Sequence, residues 1–269
     1  MNIAGQSLYP AVREALTSRD SEHKVRQSQW IYRAWRDGAL AIADCPTAPQ
    51  QPGLPAHLQL VHPNQLKRRS PHTEHGRAVL IHAIAHIEFN AINLALDAVL
   101  RFPLMPDDYR TDWLKVASEE AYHFQLIRAR LQEVGYDYGD FPGHNGLWDV
   151  AQRSAHSALE RMAVVPRVLE ARGLDVTPAM QKSLRNAGDE ATASILDIIF
   201  RDEIGHVAVG TKWFQYLCDQ SQLDYLDKFE DIVKRYYSGS LRGPFNHEAR
   251  KASGFNADEL KMLESMGSQ

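Results

Sequence analysis

Apolar residues recur every three or four positions along most of this 269-residue chain, and the strict alternation typical of half-buried strands is scarce. The pattern therefore predicts an all-α protein. Helices are predicted over about residues 7–18, 21–39, 74–101, 108–134, 147–172, 189–217 and 222–237, with a last short helix in the tail.

Proline and glycine residues group these helices into three predicted domains. Residues 1–70 form an N-terminal helical arm that ends in the Pro-rich linker "CPTAPQQPGLP". Residues 71–220 hold two helices, the long crossing loop "GYDYGDFPGHNG" and two further helices, which is the order of a four-helix bundle with one crossover. Residues 221–269 are predicted to be a C-terminal helix and tail packed on that bundle.

Breaks are expected in the third helix of the bundle. Pro166 lies inside the predicted helix and indicates a kink or a local widening. Gly173 indicates an end, and Thr177-Pro178 is typical of a cap followed by a first-turn proline.

Four acidic residues interrupt helix faces that are otherwise largely apolar. Positions three, four and seven residues from Glu88, Glu120 and Glu203 carry mostly Ile, Ala, Val, Phe and Leu, and the face of Glu170 is more mixed. An ionised carboxylate in an apolar core is costly unless it is paired. Since two divalent ions would neutralise four carboxylates, the pattern favours a di-metal centre.

Two of these acids belong to a repeated Glu-x-x-His motif, in "SEEAYH" (118–123) and "RDEIGH" (201–206). Glu120 with His123, and Glu203 with His206, lie one helical turn apart on one face. Each pair can therefore offer a carboxylate and an imidazole to the same metal pair.

The intervals between the acids support this interpretation. Glu88 and Glu120 are 32 residues apart, and Glu170 and Glu203 are 33 apart, with a predicted turn halfway in each case. Each hairpin would thus place a lone Glu level with a Glu-x-x-His. Glu160 is the alternative ligand from the third helix, but its face is more polar and its depth differs, so Glu170 is preferred.

Other polar residues near these motifs are not interpreted as metal ligands. Asp202 is a candidate hydrogen-bond partner for a metal-bound imidazole, whereas Glu119 is interpreted as a solvated acid. His82 and His86 have zinc-ligand spacing but no H-E-x-x-H motif, and they are interpreted as polar-face histidines. The tail segment "RGPFNHEAR" is interpreted as a structural clasp, with a lid or a substrate contact as the alternative.

Composition narrows the class of protein. A net charge of −4 gives no support to general nucleic-acid binding. Two cysteines without a disulfide framework, no signal-peptide pattern and no membrane-length apolar run favour a cytoplasmic location.

At Glu88, "EEAYH", "LEARG" and "DEIGH", the chain resembles the ferritin-like di-iron carboxylate superfamily. With "GPFNHEAR" added, it is most similar to a bacterial ferritin-like family of unknown function, and more distantly to the tRNA hydroxylases that act on methylthio-isopentenyl-adenosine. The resemblance implies two iron ions, with manganese and iron as the alternative pair, but no substrate. The ligands that it implies are Glu88, Glu120, His123, Glu170, Glu203 and His206.

These features favour a di-iron oxidase or hydroxylase that uses O₂ and a small-molecule substrate and draws on an electron donor. The alternatives are an iron-handling protein with ferroxidase or storage activity, and a non-catalytic helical scaffold. Only the distant resemblance supports a tRNA substrate. The sequence leaves open whether the protein forms a homodimer.

Overall fold

The computed structural model describes residues 7–43, 45–66, 70–237, 241 and 243–267. Regular structure in these residues is helical, and the only β pairing among them consists of isolated bridges between Ser7 and Ala41 and between Leu60 and Gly143. The predicted all-α class is confirmed, and the helices are consistent with a helical bundle. The ferritin-like arrangement stays a prediction.

Most predicted helices form within a few residues of their expected ends. The helices are α1 (Leu8–Thr17), α2 (Ser21–Arg36), α3 (Glu74–Arg101), α4 (Asp107–Glu133), α5 (Gly146–Arg153), α6 (Ala158–Val164), a π-helix (Val165–Glu170), α7 (Ala171–Asn186), α8 (Glu190–Gln220), α9 (Tyr225–Tyr236), α10 (His247–Ala252) and α11 (Ala257–Gly267), with a short 3₁₀ turn at Pro63–Gln65.

The chain divides into two compact units. The N-terminal unit comprises Met1–Trp148 with Ala187–Ile195, and the C-terminal unit comprises Asp149–Asn186 with Leu196–Gln269. In the N-terminal unit, α3 packs along α4, and α1 and α2 pack against them. The predicted domain boundaries at residues 70 and 220 stay predictions.

A buried lysine joins the arm to α3 in the N-terminal unit. The Lys24 ammonium donates hydrogen bonds to the carbonyls of Leu16 (3.0 Å) and Gly53 (2.8 Å) and to the amide oxygen of Asn93. Burial holds the pKa of Lys24 well below its ordinary value. These bonds fix the end of α1 and the Pro-rich linker against α3.

Among the described residues, α3 is the one helix long and apolar enough to cross a membrane, and 78% of its apolar segment is buried inside the protein. It has the burial of a core helix. The predicted cytoplasmic location stays a prediction.

The crossing loop is held by two histidines that are buried, so their interpretation as polar-face residues was wrong. His82 Nε2 accepts a hydrogen bond from the Gly139 amide (2.9 Å). His86 donates from Nε2 to the His144 carbonyl and accepts at Nδ1 from the Tyr138 hydroxyl, both at 2.8 Å. The periodicity of α3 could not show this, because the partners come from a loop more than fifty residues away.

Acid is expected to destabilise the protein through His82. Burial, with a smaller contribution from His86, lowers the pKa of His82 from 6.5 to about 4. The folded chain therefore binds fewer protons than the unfolded chain between these values, and the free energy of unfolding falls as the pH drops from 6.5 towards 4, by up to about 3 kcal/mol. His82→Gln keeps an acceptor for Gly139, and urea denaturation should show a shallower pH dependence than in the wild type. Parallel pH profiles for the two proteins would contradict this assignment.

The third predicted helix differs from expectation in the C-terminal unit. The Ser157 hydroxyl caps α6 by accepting from the Glu160 amide (3.3 Å), which separates α5 from α6. The predictions of an end at Gly173 and of a cap at Thr177 were wrong, since α7 continues through Gly173 and Pro178. Burial of Ala171, Leu174 and Asp175 accompanies the continuation.

A non-local contact explains how Pro178 is tolerated inside α7. Proline has no N–H, so the carbonyl of Leu174, four residues earlier, loses its helical partner. The side chain of Asn246 donates to that carbonyl at 3.2 Å, and the Asp175 carboxylate accepts from the Asn246 amide at 2.9 Å. Arg250 adds two hydrogen bonds to Asp175. The tail segment is therefore a clasp on α7.

Candidate metal centre

Three of the predicted ligands come together in the N-terminal unit. Glu120 and His123 lie on one face of α4 and Glu88 on α3, and all three side chains are buried. His123 Nδ1 is 3.4 Å from Glu88 Oε2 and 3.5 Å from Glu120 Oε2. Each residue offers one ligand atom, and these atoms lie within 4.8 Å of one another. We call Glu88, Glu120 and His123 the α3/α4 ligand set.

The electrostatics of this set fit a divalent cation. Burial alone would lower the pKa of His123, but hydrogen bonds and charge from Glu120 and Glu88 raise it to about 11. The imidazolium thus offsets part of the charge of two carboxylates in an apolar core. With a neutral imidazole, which metal binding requires, the set carries a formal charge of −2 that one divalent ion balances. Carboxylate oxygen with imidazole nitrogen is a donor set suited to iron, manganese or zinc.

The second Glu-x-x-His motif repeats this local geometry on α8 in the C-terminal unit. Glu203 Oε1 lies 3.4 Å from His206 Nδ1, as expected for residues one helical turn apart. His206 is buried and the side chain of Glu203 is 13% exposed. This pair therefore presents one carboxylate and one imidazole from the same face of a long helix.

Glu170 is the last residue of the π-helix and is half-buried. The alternative, Glu160, has partners of its own on the surface of the C-terminal unit. Its carboxylate accepts from the Tyr236 hydroxyl (2.6 Å) and from Arg235 (2.9 Å) and pairs with His156 (3.2 Å). Burial alone would raise the pKa of Glu160, but these hydrogen bonds and charges have the larger effect, and the pKa is lowered from its ordinary value. Glu160 thus fastens α6 to α9, and Glu170 stays the predicted ligand.

The acids that precede each motif form local ion pairs. Asp202 accepts from the neighbouring Arg201 guanidinium at 2.9 Å, and its role beside a metal-bound imidazole stays a prediction. Glu119 pairs with Lys115 at 2.9 Å on the outer side of α4. The solvated interpretation of Glu119 agrees with its partly exposed side chain.

Pro166 and Gly210 position the π-helix against α8 in the C-terminal unit. The widening predicted at Pro166 is confirmed as a π-helix, a distortion that is frequent at functional sites. A Cβ atom added at Gly210 would lie 2.2 Å from Pro166 Cγ, so only glycine permits this approach. Gly210 is one turn after His206, and its place opposite a proline was not evident from the sequence.

Gly210→Ala is expected to lower the free energy of unfolding by about 1–2 kcal/mol. Overpacking costs about 1–3 kcal/mol, and the better helix propensity of alanine recovers up to about 1. The proline ring cannot rotate away from the new methyl group. Gly205→Ala is the matched control on the same helix, because a Cβ there meets nothing within 4 Å. Thermal denaturation should show this control to be as stable as the wild type or more so, and equal destabilisation of both variants would contradict the packing argument.

Comparisons with known proteins identify relatives along nearly the whole chain. Residues 17–261 match the model of a family described as protein of unknown function (DUF455). A protein of Haemophilus influenzae named "Uncharacterized protein" is 45% identical over 234 residues, which cover 83% of this chain and 81% of the relative. No solved structure matches the chain. With this coverage and identity, the chain belongs to the DUF455 family.

Proposed function

We propose that this protein is a non-haem di-metal carboxylate oxidoreductase that binds two iron ions and uses dioxygen to oxidise or hydroxylate a small molecule. The observation that carries the proposal is the α3/α4 ligand set. Two acids and a histidine from separate helices are buried together, with their ligand atoms within 4.8 Å of one another. Soluble proteins seldom bury such a group unless a cation or a chemical task accompanies it.

The donors of the C-terminal unit support a second ion. Glu203 and His206 repeat the Glu-x-x-His geometry, and Glu170 ends a π-helix held against α8. In the proposed centre, the carboxylates of Glu88, Glu120, Glu170 and Glu203 would hold the ions, and His123 and His206 would supply neutral nitrogen donors. Such a centre uses the donor set of di-iron carboxylate bundles.

The residues of this chain would bind, balance charge and exclude water. A pair of ferrous ions would supply electrons and open coordination positions for dioxygen. Glu88 and Glu120 balance the positive charge, and His123 supplies a neutral nitrogen donor. Trp113 and Phe124, both buried, pack in the N-terminal unit, and Ile199 is buried in the C-terminal unit. These apolar side chains would keep bulk water away from a reactive site.

The test is metal analysis of the full chain after anaerobic incubation with ferrous ion. The proposal expects two iron ions per chain, together with a near-ultraviolet or visible absorbance change on exposure to oxygen. A preparation that binds no iron, or that retains only zinc, would overturn it. Continued oxidation of added ferrous ion with many ions stored per chain would assign the protein to iron handling instead.

A further inference from the structure

A groove of about 570 Å³ runs between α1 and α2 at the surface of the N-terminal unit. Pro10 and Ala11 line it from α1, and Arg26, Trp30 and Arg33 line it from α2. The volume falls within the range of about 300–1,000 Å³ found for ligand sites. None of the six proposed metal ligands lines this groove, so a ligand bound here would be separate from the proposed metal centre.

The two helices that form the groove are basic, although the chain as a whole is acidic. α1 and α2 expose four arginines and two glutamates, whereas the whole chain has a net charge of −4. Positive charge is thus concentrated on the arm. A charged surface selects partners of opposite charge and speeds their approach. The charge of the arm therefore favours an acidic partner.

Two arginines in the groove are available to the carboxylates of such a partner. Arg33 is exposed and forms no ion pair with another described residue. Arg26 pairs with Glu22 at 3.5 Å, but the two side chains are 64% and 65% exposed. Exposed pairs contribute only about 0–1 kcal/mol, so a carboxylate from a partner can replace Glu22. Glu14 also lines the groove but lies 3.2 Å from His23, and two arginines against one glutamate leave the lining positive.

A half-buried tryptophan lies between these two arginines along α2. Arg26, Trp30 and Arg33 follow the spacing i, i+4, i+7 and therefore share one face of the helix. Trp30 stacks on no other aromatic ring among the described residues, and Pro10 lines the groove from α1. Proline-rich segments dock in grooves that present aromatic side chains in this way.

The spacing of the two arginines favours one conformation of a bound peptide. Arg26 and Arg33 are seven residues apart on α2, a rise of about 10.5 Å. A polyproline-II helix has three residues per turn and rises about 3.1 Å per residue, so side chains three positions apart lie on one edge, about 9 Å from each other. Along a β-strand, side chains on one face are about 7 or 13 Å apart, and both distances fit less well.

The backbone of a polyproline-II segment also finds a partner in the groove. Gln27 lines the groove, and its side-chain amide has no hydrogen-bond partner among the described residues. This amide can both donate and accept, as the N–H and C=O of a peptide unit require. A polyproline-II backbone has no internal hydrogen bonds, whereas an α-helical peptide has already paired these groups. The groove therefore favours the polyproline-II form over a helix.

We propose that the α1/α2 groove binds a polyproline-II segment of a partner protein that carries two acidic residues three positions apart. The two carboxylates accept hydrogen bonds from Arg26 and Arg33, and the prolines between them pack on Trp30. Gln27 pairs with the peptide backbone. The inference does not depend on the proposed function and would stand if the chain bound no iron.

Fluorescence anisotropy with the labelled peptide Gly-Glu-Pro-Pro-Glu-Gly tests the proposal on the full chain. One control peptide has Gln in place of both Glu residues, and the other, Gly-Pro-Glu-Glu-Pro-Gly, has the two acids adjacent. Each control should bind at least about fivefold more weakly, because it loses one or both charge-assisted hydrogen bonds to arginine. Added salt should weaken the binding of the acidic peptide, since both arginines are exposed.

Two variants and a control locate the bound peptide. Arg33→Glu replaces attraction with repulsion and Ala11→Trp fills the groove, and each should weaken binding of the acidic peptide at least about tenfold. Arg36→Glu changes the net charge by the same amount on the same helix, but Arg36 lies over Tyr32, outside the groove. This control should bind the peptide as the wild type does. Should Ala11→Trp disturb α1, the exposed Arg33→Glu alone decides.

Several results would overturn the proposal. The acidic peptide may not fail to bind at millimolar concentration, neither control peptide may match its affinity, and Arg33→Glu and Arg36→Glu may not have equal effects. Tighter binding of a single-stranded hexanucleotide than of the acidic peptide would assign the groove to nucleic acid instead. A dimer that forms without peptide and is lost in Ala11→Trp, as measured by sedimentation, would assign it to a second copy of the chain.

Discussion

Glu120→Gln is expected to remove at least one metal ion per chain. Glu120 is fully buried, and its carboxylate lies 3.5 Å from His123, at the centre of the α3/α4 ligand set. The amide keeps the shape of the side chain but removes the negative charge that holds a divalent ion. After reconstitution with ferrous ion, the iron content measured by metal analysis should fall from two ions per chain to one or none. The absorbance change on exposure to oxygen should disappear with it.

Two neighbouring acids provide matched controls for this variant. Glu119→Gln alters the adjacent residue, whose carboxylate pairs with Lys115, and Glu160→Gln alters the alternative ligand bound by Arg235 and Tyr236. Both should keep the metal content of the wild type. If Glu160→Gln lost metal while Glu120→Gln kept the metal content of the wild type, the ligands would be other residues and the assignment of Glu120 would be wrong.

Helices with strong apolar periodicity and clear ends could be predicted from the sequence. The predicted bounds of α3 agree with the structure because Thr73 caps its first turn and Phe102-Pro103 cannot continue it. The proximity of Glu120 to His123 was also predictable, since the spacing i, i+3 fixes two residues on one face of a regular helix. Local rules suffice when the local geometry is regular.

The parts that could not be predicted depend on partners far away in the chain. Pro178 normally starts or ends a helix, yet Asn246, 68 residues later, supplies the hydrogen bond that the proline cannot. In the same way, His82 and His86 are buried because the loop around Tyr138 and Gly139 covers them. No pattern within α3 or α7 contains this information.

Arg167→Met is expected to lower the free energy of unfolding by about 3–5 kcal/mol, the largest change in stability that this structure predicts. Arg167 is buried between Phe214, Phe229 and Phe255, with its carbon Cζ 4.1–4.7 Å from the ring centres. Its removal leaves the buried Glu259 carboxylate without the guanidinium at 2.5 Å. Urea denaturation at neutral pH measures the loss.

A double variant separates the ion pair from the aromatic contacts. Glu259 also accepts from the Asn256 amide at the start of α11, and Glu259→Gln keeps that acceptor while removing the charge. Arg167→Met combined with Glu259→Gln should therefore regain most of the stability lost in Arg167→Met alone. Arg185→Met, which breaks an exposed pair with Asp197, should cost no more than about 1 kcal/mol. If the double variant were no more stable than the single one, the stacking of Arg167 on three aromatic rings, rather than its pairing with Glu259, would hold the tail of the C-terminal unit in place.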